Sequence, residues 1–512
     1  MKKIAAVLSA ILIFTLTCCK QDVDMTYGDP NANRIIPSDT QATLSIERDE
    51  NNKNISVFGL GTEVDPHFFY GNVGRSGVSD VGAWECKESD WQLFESRMSE
   101  MNLKRIRMML LPSWFCPSES NYLTGNYNYT SAQMKSVCKL MDTAESLGIK
   151  VNVTMWGVDS SWLRTTEQSD WVTYPKSGKE EVFVGMFADC IKYLIEEKNY
   201  DCIKEVTLYN EPNSLYYGNS AVDDYVDICK KMNDAFIQKG IRDKVLFDLS
   251  DDARSPAWMA QTLYKLDGIT DVVNSHVYTF GDTYDEKEDK YILKMSNRDI
   301  CYNLPNYNLD IYKQLREGYE NIPHIFGEFG TCNGTGSHTA TDVFRPERGL
   351  DIAKIALNMF NMGSAGMSYW VLFSQYYSEA ASEQIMNMGL WGFADENYNC
   401  RPMYYAYSML TRFIGEGNKI YPIVSGDGNI VAAAFRNGDN WSYCVVNDGD
   451  TAKKISFLNN TAFKTEFDKY VYDIIAVPTD NKVIASSGKL NADGRVLTDN
   501  VPAGCFIVYK TT

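Results

Sequence analysis

The chain has 512 residues, 44% of them hydrophobic, and a formal net charge of −18. That length and apolar content support a large core and exclude wholesale disorder. The charge disfavours nucleic acid and strongly anionic polymers, whose binding depends on clustered Lys and Arg, but it leaves neutral sugar chains compatible with the 13% aromatic content.

The chain starts with Met1-Lys2-Lys3 and the apolar stretch Ile4 to Leu16. A charged start and a short apolar run make a secretory signal, too short for a typical membrane span. Leu16, three positions before Cys19, resembles the lipobox of bacterial lipoproteins. The resemblance implies that residues 1–19 carry the signal and that Cys19 is the lipid attachment site, with Cys18 as the alternative. It places the protein on the outer membrane, at the cell surface or on the periplasmic side, held through the lipid anchor only. Residues 20–40, rich in Asp, Asn, Pro and Thr, read as a flexible tether. Within residues 41–54, Gln41 to Glu47 has strand character and is a candidate to join a later sheet.

From about 55 to 412, apolar strand candidates alternate with amphipathic segments, the pattern of repeated βα units. Eight strands are expected: 56–62, 104–110, 149–155, 204–210, 244–249, 271–277, 323–328 and 366–371. Between them, apolar residues recur at helical spacing, as in Trp91, Phe94, Met98 and Met101, with Ser89 as the expected N-cap, or in Phe183, Phe187, Cys190 and Leu194. A doubly wound open sheet would call for a glycine-rich phosphate turn after the first strand, and Phe58-Gly59-Leu60-Gly61-Thr62-Glu63 lacks the third glycine. The expected fold is therefore α/β, a (β/α)8 TIM barrel. After a last helix candidate at 401–407, short alternating strands and turns such as Asn437-Gly438 make residues 413–512 a C-terminal β-sandwich.

Two glutamates end short apolar runs: Glu211 in Leu208-Tyr209-Asn210-Glu211-Pro212 and Glu328 in Ile325-Phe326-Gly327-Glu328-Phe329-Gly330. The carboxyl ends of barrel strands are where such a fold presents catalytic groups. Two carboxylates there suit glycoside hydrolysis, in which one protonates the leaving oxygen and the other attacks the anomeric carbon or activates water, with no cofactor. A resident metal is not expected. The cysteines beyond the N-terminus are scattered without ligand spacing, and His67 and His338, near Asp65 or a strand end, have no second histidine at helical spacing. One or two disulfides are compatible with an extracytoplasmic protein, but no pair stands out.

These motifs resemble glycoside hydrolase clan A, the retaining barrel enzymes whose acid/base Glu ends strand four and whose nucleophile Glu ends strand seven. The resemblance covers about residues 55 to 412. It implies that Glu211 is the proton donor, that Asn210 binds the sugar 2-hydroxyl, and that Glu328 is the nucleophile. It further implies that Arg107 supports the nucleophile, with neighbouring Arg105 as the alternative. His276 and Tyr278 resemble the His-x-Tyr of strand six, where the Tyr hydroxyl orients the nucleophile, and Trp370 resembles the platform under the reacting sugar. Gly327-Glu328-Phe329-Gly330 is similar to the family-five motif. However, Trp156 stands near the place of that family's strand-three histidine, and the strand before the barrel and sandwich after it are arrangements closer to families thirty, thirty-nine, fifty-one or seventy-nine. The expected function is a monomeric retaining β-glycosidase acting on a polysaccharide or oligosaccharide. The alternatives are a glycan-binding lipoprotein with an inactive barrel and a transglycosylase. Trp84, Trp114, Trp156, Trp162, Trp258 and Trp391 fall in or beside βα connections, where each is either a sugar platform or core.

Overall fold

Parallel strands buried on both faces need long apolar runs and helical covers, and the chain supplies both. In the computed structural model the described residues are 41–45, 55–66, 87–165, 173–215, 221–285, 290–293, 312–333, 343–376, 385–386, 388–392, 396–458 and 466–512. The signal and tether with Cys19, together with His67, Trp84 and His338, lie outside them. Among the described residues no helix is long and apolar enough to cross a membrane.

Strand β1 is Gln41–Ser45; β2 Gly59–Val64, β3 Arg105–Leu110, β4 Lys150–Met155, β5 Ile203–Thr207, β6 Leu246–Ala253 and β7 Val272–Asp285 follow. Next come β8 Lys290–Leu293, β9 His324–Asn333 and β10 Gly366–Tyr369. The order β6-β5-β4-β3-β2-β10-β9-β7, closed by pairing of β6 with β7, makes an eight-stranded parallel barrel. Closure rules out the open doubly wound sheet. Beyond the barrel rim β7 and β9 stay paired as far as Asp282 and Asn333, and β8 adds antiparallel to β7.

The helices of the outer layer include α1 (Glu88–Glu100), α2 (Ala132–Leu147), α3 (Glu180–Lys192), α4 (Ala221–Lys239), α5 (Pro256–Lys265), α6 (Glu347–Asn361) and α7 (Pro402–Phe413). Trp91, Phe94 and Met98 of α1 and Phe183, Phe187 and Cys190 of α3 are buried, as their spacing predicts. Ser89 is not the N-cap of α1. The cap is Lys87, whose backbone N–H donates to Asp90 Oδ2 at 3.0 Å, and this moves the helix start two residues earlier.

Alternation along each strand sends Ile106, Met108 and Leu110 to the helical layer and Arg105 and Arg107 to the barrel interior, where they meet acids from other strands. Low in the barrel, Arg105 donates to Glu205 at 2.7 Å and Asp248 at 3.3 Å, and Asn152 donates to Asp248 at 2.6 Å. This hydrogen-bonded polar layer closes the floor. Arg105 is committed there, which leaves Arg107, one strand period higher, for the mouth.

The short hairpin β11 (Gln375–Tyr376) and β12 (Ile385–Met386) precedes the second domain. Strands β13 (Lys419–Pro422), β14 (Ile430–Asn437), β15 (Asn440–Asn447), β16 (Lys453–Leu458), β17 (Glu466–Asp473), β18 (Gly488–Asn491), β19 (Val496–Val501) and β20 (Cys505–Thr511) form it. One sheet runs β13-β14-β15-β20-β17-β18 and the other β1-β16-β19. Leu44, Ile455, Phe457, Leu497, Tyr443 and Ile507 pack between them as a separate core, so the domain is a β-sandwich. It is stitched to the barrel through α6 and α7, where Lys354 pairs with Asp448 and Ser442 Oγ donates to Phe413 O at 2.7 Å. Trp441, buried and stacked 5.4 Å from Tyr443, belongs to the sandwich core. Eight described cysteines (Cys116, Cys138, Cys190, Cys202, Cys229, Cys400, Cys444 and Cys505) are free thiols.

Candidate active site

At the carboxyl ends of the strands, two irregularities flank β7. On β6 the register jumps from Ser250 opposite Asn274 to Asp252 opposite Ser275, so Asp251 is an extra residue. On β9 it jumps from Phe326 opposite Ser275 to Glu328 opposite His276, so Gly327 is extra. Bulges of this kind re-aim the side chains beside them. Here they turn Asp251 and Glu328 toward His276, which projects into the barrel between them. Glycine is required at 327, because a Cβ there would overlap the Asn274 side chain, whose Oδ1 accepts from Gly327 N at 2.6 Å.

Glu211 leaves β5 with a left-handed backbone (φ +48°), and Ser250 and Asp251 are also left-handed (φ +80° and +46°). For residues other than glycine such conformations cost on the order of 1–3 kcal/mol each and cluster at functional sites. At Glu211 the following Pro212 also disfavours the right-handed helical region, so the carboxylate sits on a sharp strand-to-helix turn.

The side chains converge on Arg107 and His276. Arg107 is fully buried and donates to Glu328 Oε1 at 2.8 Å, Asn210 Oδ1 at 2.9 Å, Asp251 Oδ2 at 2.7 Å and Glu63 Oε2 at 3.1 Å. Tyr278 OH donates to Glu328 Oε2 at 2.6 Å. His276 Nδ1 lies 3.0 Å from Glu211 Oε1 and 3.6 Å from Glu328 Oε2, while Nε2 lies 3.1 Å from Asp251 Oδ1. Carboxylate oxygens of Glu211 and Glu328 and a ring nitrogen of His276 all lie within 4.8 Å of one another. A small cation spanning that distance would compete with the contact between His276 Nδ1 and Glu211 Oε1. The Glu211 side chain is 28% exposed and that of Glu328 6%, so the first is open to a leaving group or water while the second is enclosed.

Burial opposes charge on His276, yet Glu328 and Asp251 raise its pKa well above the ordinary value. Burial alone would also push Asp251 up, but Arg107 and His276 pull it below the usual carboxylate range. Burial raises Glu328, against the opposing pull of His276, Arg107 and the Tyr278 hydroxyl. Burial holds Glu63 well above its ordinary value, favouring a neutral carboxylic acid beside Arg107.

The structure thus brings together Glu211, Glu328, Asn210, Arg107, His276 and Tyr278. Trp156 lies with its ring centroid 5.0 Å from the Arg107 guanidinium and 5.7 Å from the Trp370 ring, so the two tryptophans flank the same mouth. Trp114, Trp258 and Trp391 are buried core residues. Sequence reading missed Asp251 and Glu63. Asp251-Asp252 follow the apolar run Val245 to Leu249 as Glu328 follows its own, so paired acids at a strand end were the available signal.

No protein-family model and no curated protein matches the chain. Solved structures do. The catalytic domain of a GH30 xylanase C from Talaromyces cellulolyticus matches with a TM-score of 0.63 at 14% identity, covering 92% of this chain and 100% of that one. A GH39 enzyme from Xanthomonas axonopodis pv. citri matches with 0.59 at 14%, covering 94% and 99%. The endo-β1,6-glucanase BT3312 matches with 0.61 at 14%, covering 91% and 93%. The fold is that of these glycoside hydrolases. The coverage takes in barrel and sandwich together, the layout associated with families thirty and thirty-nine in the sequence reading.

Proposed function

We propose that this protein is a retaining β-glycoside hydrolase, with Glu328 as nucleophile and Glu211 as acid/base. The observation that carries the reading is the approach of the two glutamates, with carboxylate oxygens within 4.8 Å. Retaining enzymes hold their carboxyl groups about 5–5.5 Å apart, whereas inverting ones leave about 6.5–9.5 Å for a water. The unequal surroundings support the division of roles. Glu328 accepts from Arg107 and Tyr278, donors that favour and orient an ionised nucleophile, while Glu211 is the more exposed of the two.

In the first step Glu328 Oε attacks the anomeric carbon as the bond to the leaving oxygen breaks, and Glu211 gives that oxygen its proton. In the second, Glu211 takes a proton from water, the hydroxide oxygen bonds to the anomeric carbon, and the Glu328 ester bond breaks. Asn210 Oδ1 is occupied by Arg107, so its amide NH2 is left to donate to the sugar 2-hydroxyl. Trp370 and Trp156 supply apolar faces for the ring. The substrate is a polysaccharide or oligosaccharide. The xylanase and the endo-β1,6-glucanase among the structural neighbours direct a first screen to xylan and β-1,6-glucan beside aryl β-glycosides. We also propose that the enzyme works as a monomer on a lipid anchor at Cys19, at the outer membrane.

The test is Glu328→Gln with the anomeric form of the first product followed by NMR. Turnover should fall by about 10⁴-fold or more, as for loss of a covalent nucleophile, with glycan binding kept and the β-anomer released first by the unaltered enzyme. Undiminished hydrolysis, or an α-anomer released first, would reject the assignment.

A further inference from the structure

The Asp251 carboxylate has no part in the two-step reaction above, yet three side chains at the mouth converge on it. Its Oδ2 accepts from Arg107 at 2.7 Å, and its Oδ1 faces both Asn274 Nδ2 at 2.7 Å and His276 Nε2 at 3.1 Å. It reaches them only because it is the extra residue of the β6 bulge, held in a left-handed conformation. In a regular strand, alternation after inward-facing Asp248 would send residue 251 out to the helical layer.

The neighbour, Asp252, locks the bulge from the other side. It accepts from Ser275 Oγ at 2.7 Å, Tyr312 OH at 2.6 Å and Ser255 N at 2.7 Å. Strain at Asp251 is therefore maintained by three partners on its own carboxylate and three donors on that of Asp252, an arrangement that serves placement of a charge rather than packing.

We propose that Asp251 is a positioning residue that clamps Arg107 and His276 together and keeps a proton on the His276–Glu211 pair. This rests on the reading of Glu211 and Glu328 given above. With Asp251 ionised against Nε2–H, the second proton lies between His276 Nδ1 and Glu211 Oε1, 3.0 Å apart. At rest His276 is an imidazolium donating to the Glu211 carboxylate, and the proton crosses to Glu211 Oε1 as the leaving oxygen takes it. One proton serves both, and it is the proton the leaving oxygen needs. The charges facing His276 are Glu211, Asp251 and Glu328, with Asp252 beyond them and Arg107 across Asp251. Of the three acids in direct contact with the ring, Asp251 is the one that takes no part in bond making, so its charge is constant through both steps.

The prediction concerns Asp251→Asn, which keeps the shape and removes the charge. The alkaline limb of kcat/KM, which reports loss of the shared proton, should move down by about one pH unit or more. A residue that only supports the fold would lower the melting temperature or the amplitude and leave the limb in place. Histidine NMR of the unaltered protein, with His276 assigned by its absence in His276→Gln, supplies a measurement independent of turnover. His276 should be doubly protonated at pH 7 in the unaltered protein and should lose that proton at lower pH in Asp251→Asn. A neutral His276 in the unaltered protein, or an alkaline limb unmoved in the variant, would overturn the clamp. If Asp251→Asn fails to fold, the unaltered protein's spectrum still decides. A charged His276 in a protein that cleaves no glycoside would instead sink the functional reading and leave the clamp standing.

Discussion

Tyr278→Phe removes one oxygen and leaves the ring, so it isolates a single bond to Glu328. In the structure Glu328 Oε1 faces Arg107 at 2.8 Å and Oε2 faces Tyr278 OH at 2.6 Å, with His276 Nδ1 next at 3.6 Å. A hydrogen bond from a hydroxyl to an ionised carboxylate contributes about 1.5–3 kcal/mol. It stabilises the charged form, so its loss raises the Glu328 pKa further in the direction that burial already drives it. At 1.36 kcal/mol per unit, the shift is about one to two pH units. The acid limb of kcat/KM should therefore move up by that amount, and activity measured one unit below the unaltered enzyme's limb should fall about 10-fold or more beyond any fall on the plateau. The assay is a pH series on an aryl glycoside with unfolding monitored in parallel. An acid limb that stays in place in Tyr278→Phe would refute both the role of Glu328 and the claim that the hydroxyl favours its charge.

Gly327→Ala should damage activity and stability together. The new Cβ meets the Asn274 amide, which holds the bulge that aims Glu328, and overpacking of this kind costs about 1–3 kcal/mol, read as a lower melting temperature with lost turnover. Far from the mouth, Asp351 of α6 is buried beside the Lys354–Asp448 pair, and burial pushes its carboxyl up to about 7. Because the folded value is raised, the stability this group contributes is full below its unfolded value near 4 and is lost as pH rises through about 7, a swing of roughly 4 kcal/mol. Asp351→Asn cannot titrate. Denaturant unfolding at pH 5 and pH 8 should show it gaining on the unaltered protein at the higher pH by a large part of that swing, and equal differences at both values would contradict the assignment.

The two carboxylates, the His-x-Tyr pair and the strand count were legible because each depends on local order in the chain. Period-two alternation and apolar runs mark strands whatever lies far away, and a strand's carboxyl end is a position along the chain. Even the choice between Arg105 and Arg107 was nearly open to this logic, since both face inward two residues apart. What it could not supply was height: the floor acids Glu205 and Asp248 take Arg105, and only the closed barrel sets which arginine reaches the mouth. Asp251 was hidden for a different reason. Strict alternation points it outward, and the bulge that reverses it depends on donors from Ser275, Tyr312 and Ser255, drawn from three separate segments. The sequence by itself determined the alternating units, the sandwich that follows and the two glutamates that end their strands. The tertiary structure decided which charges touch, because register between strands distant along the chain is a property of barrel closure and of the two bulges beside β7.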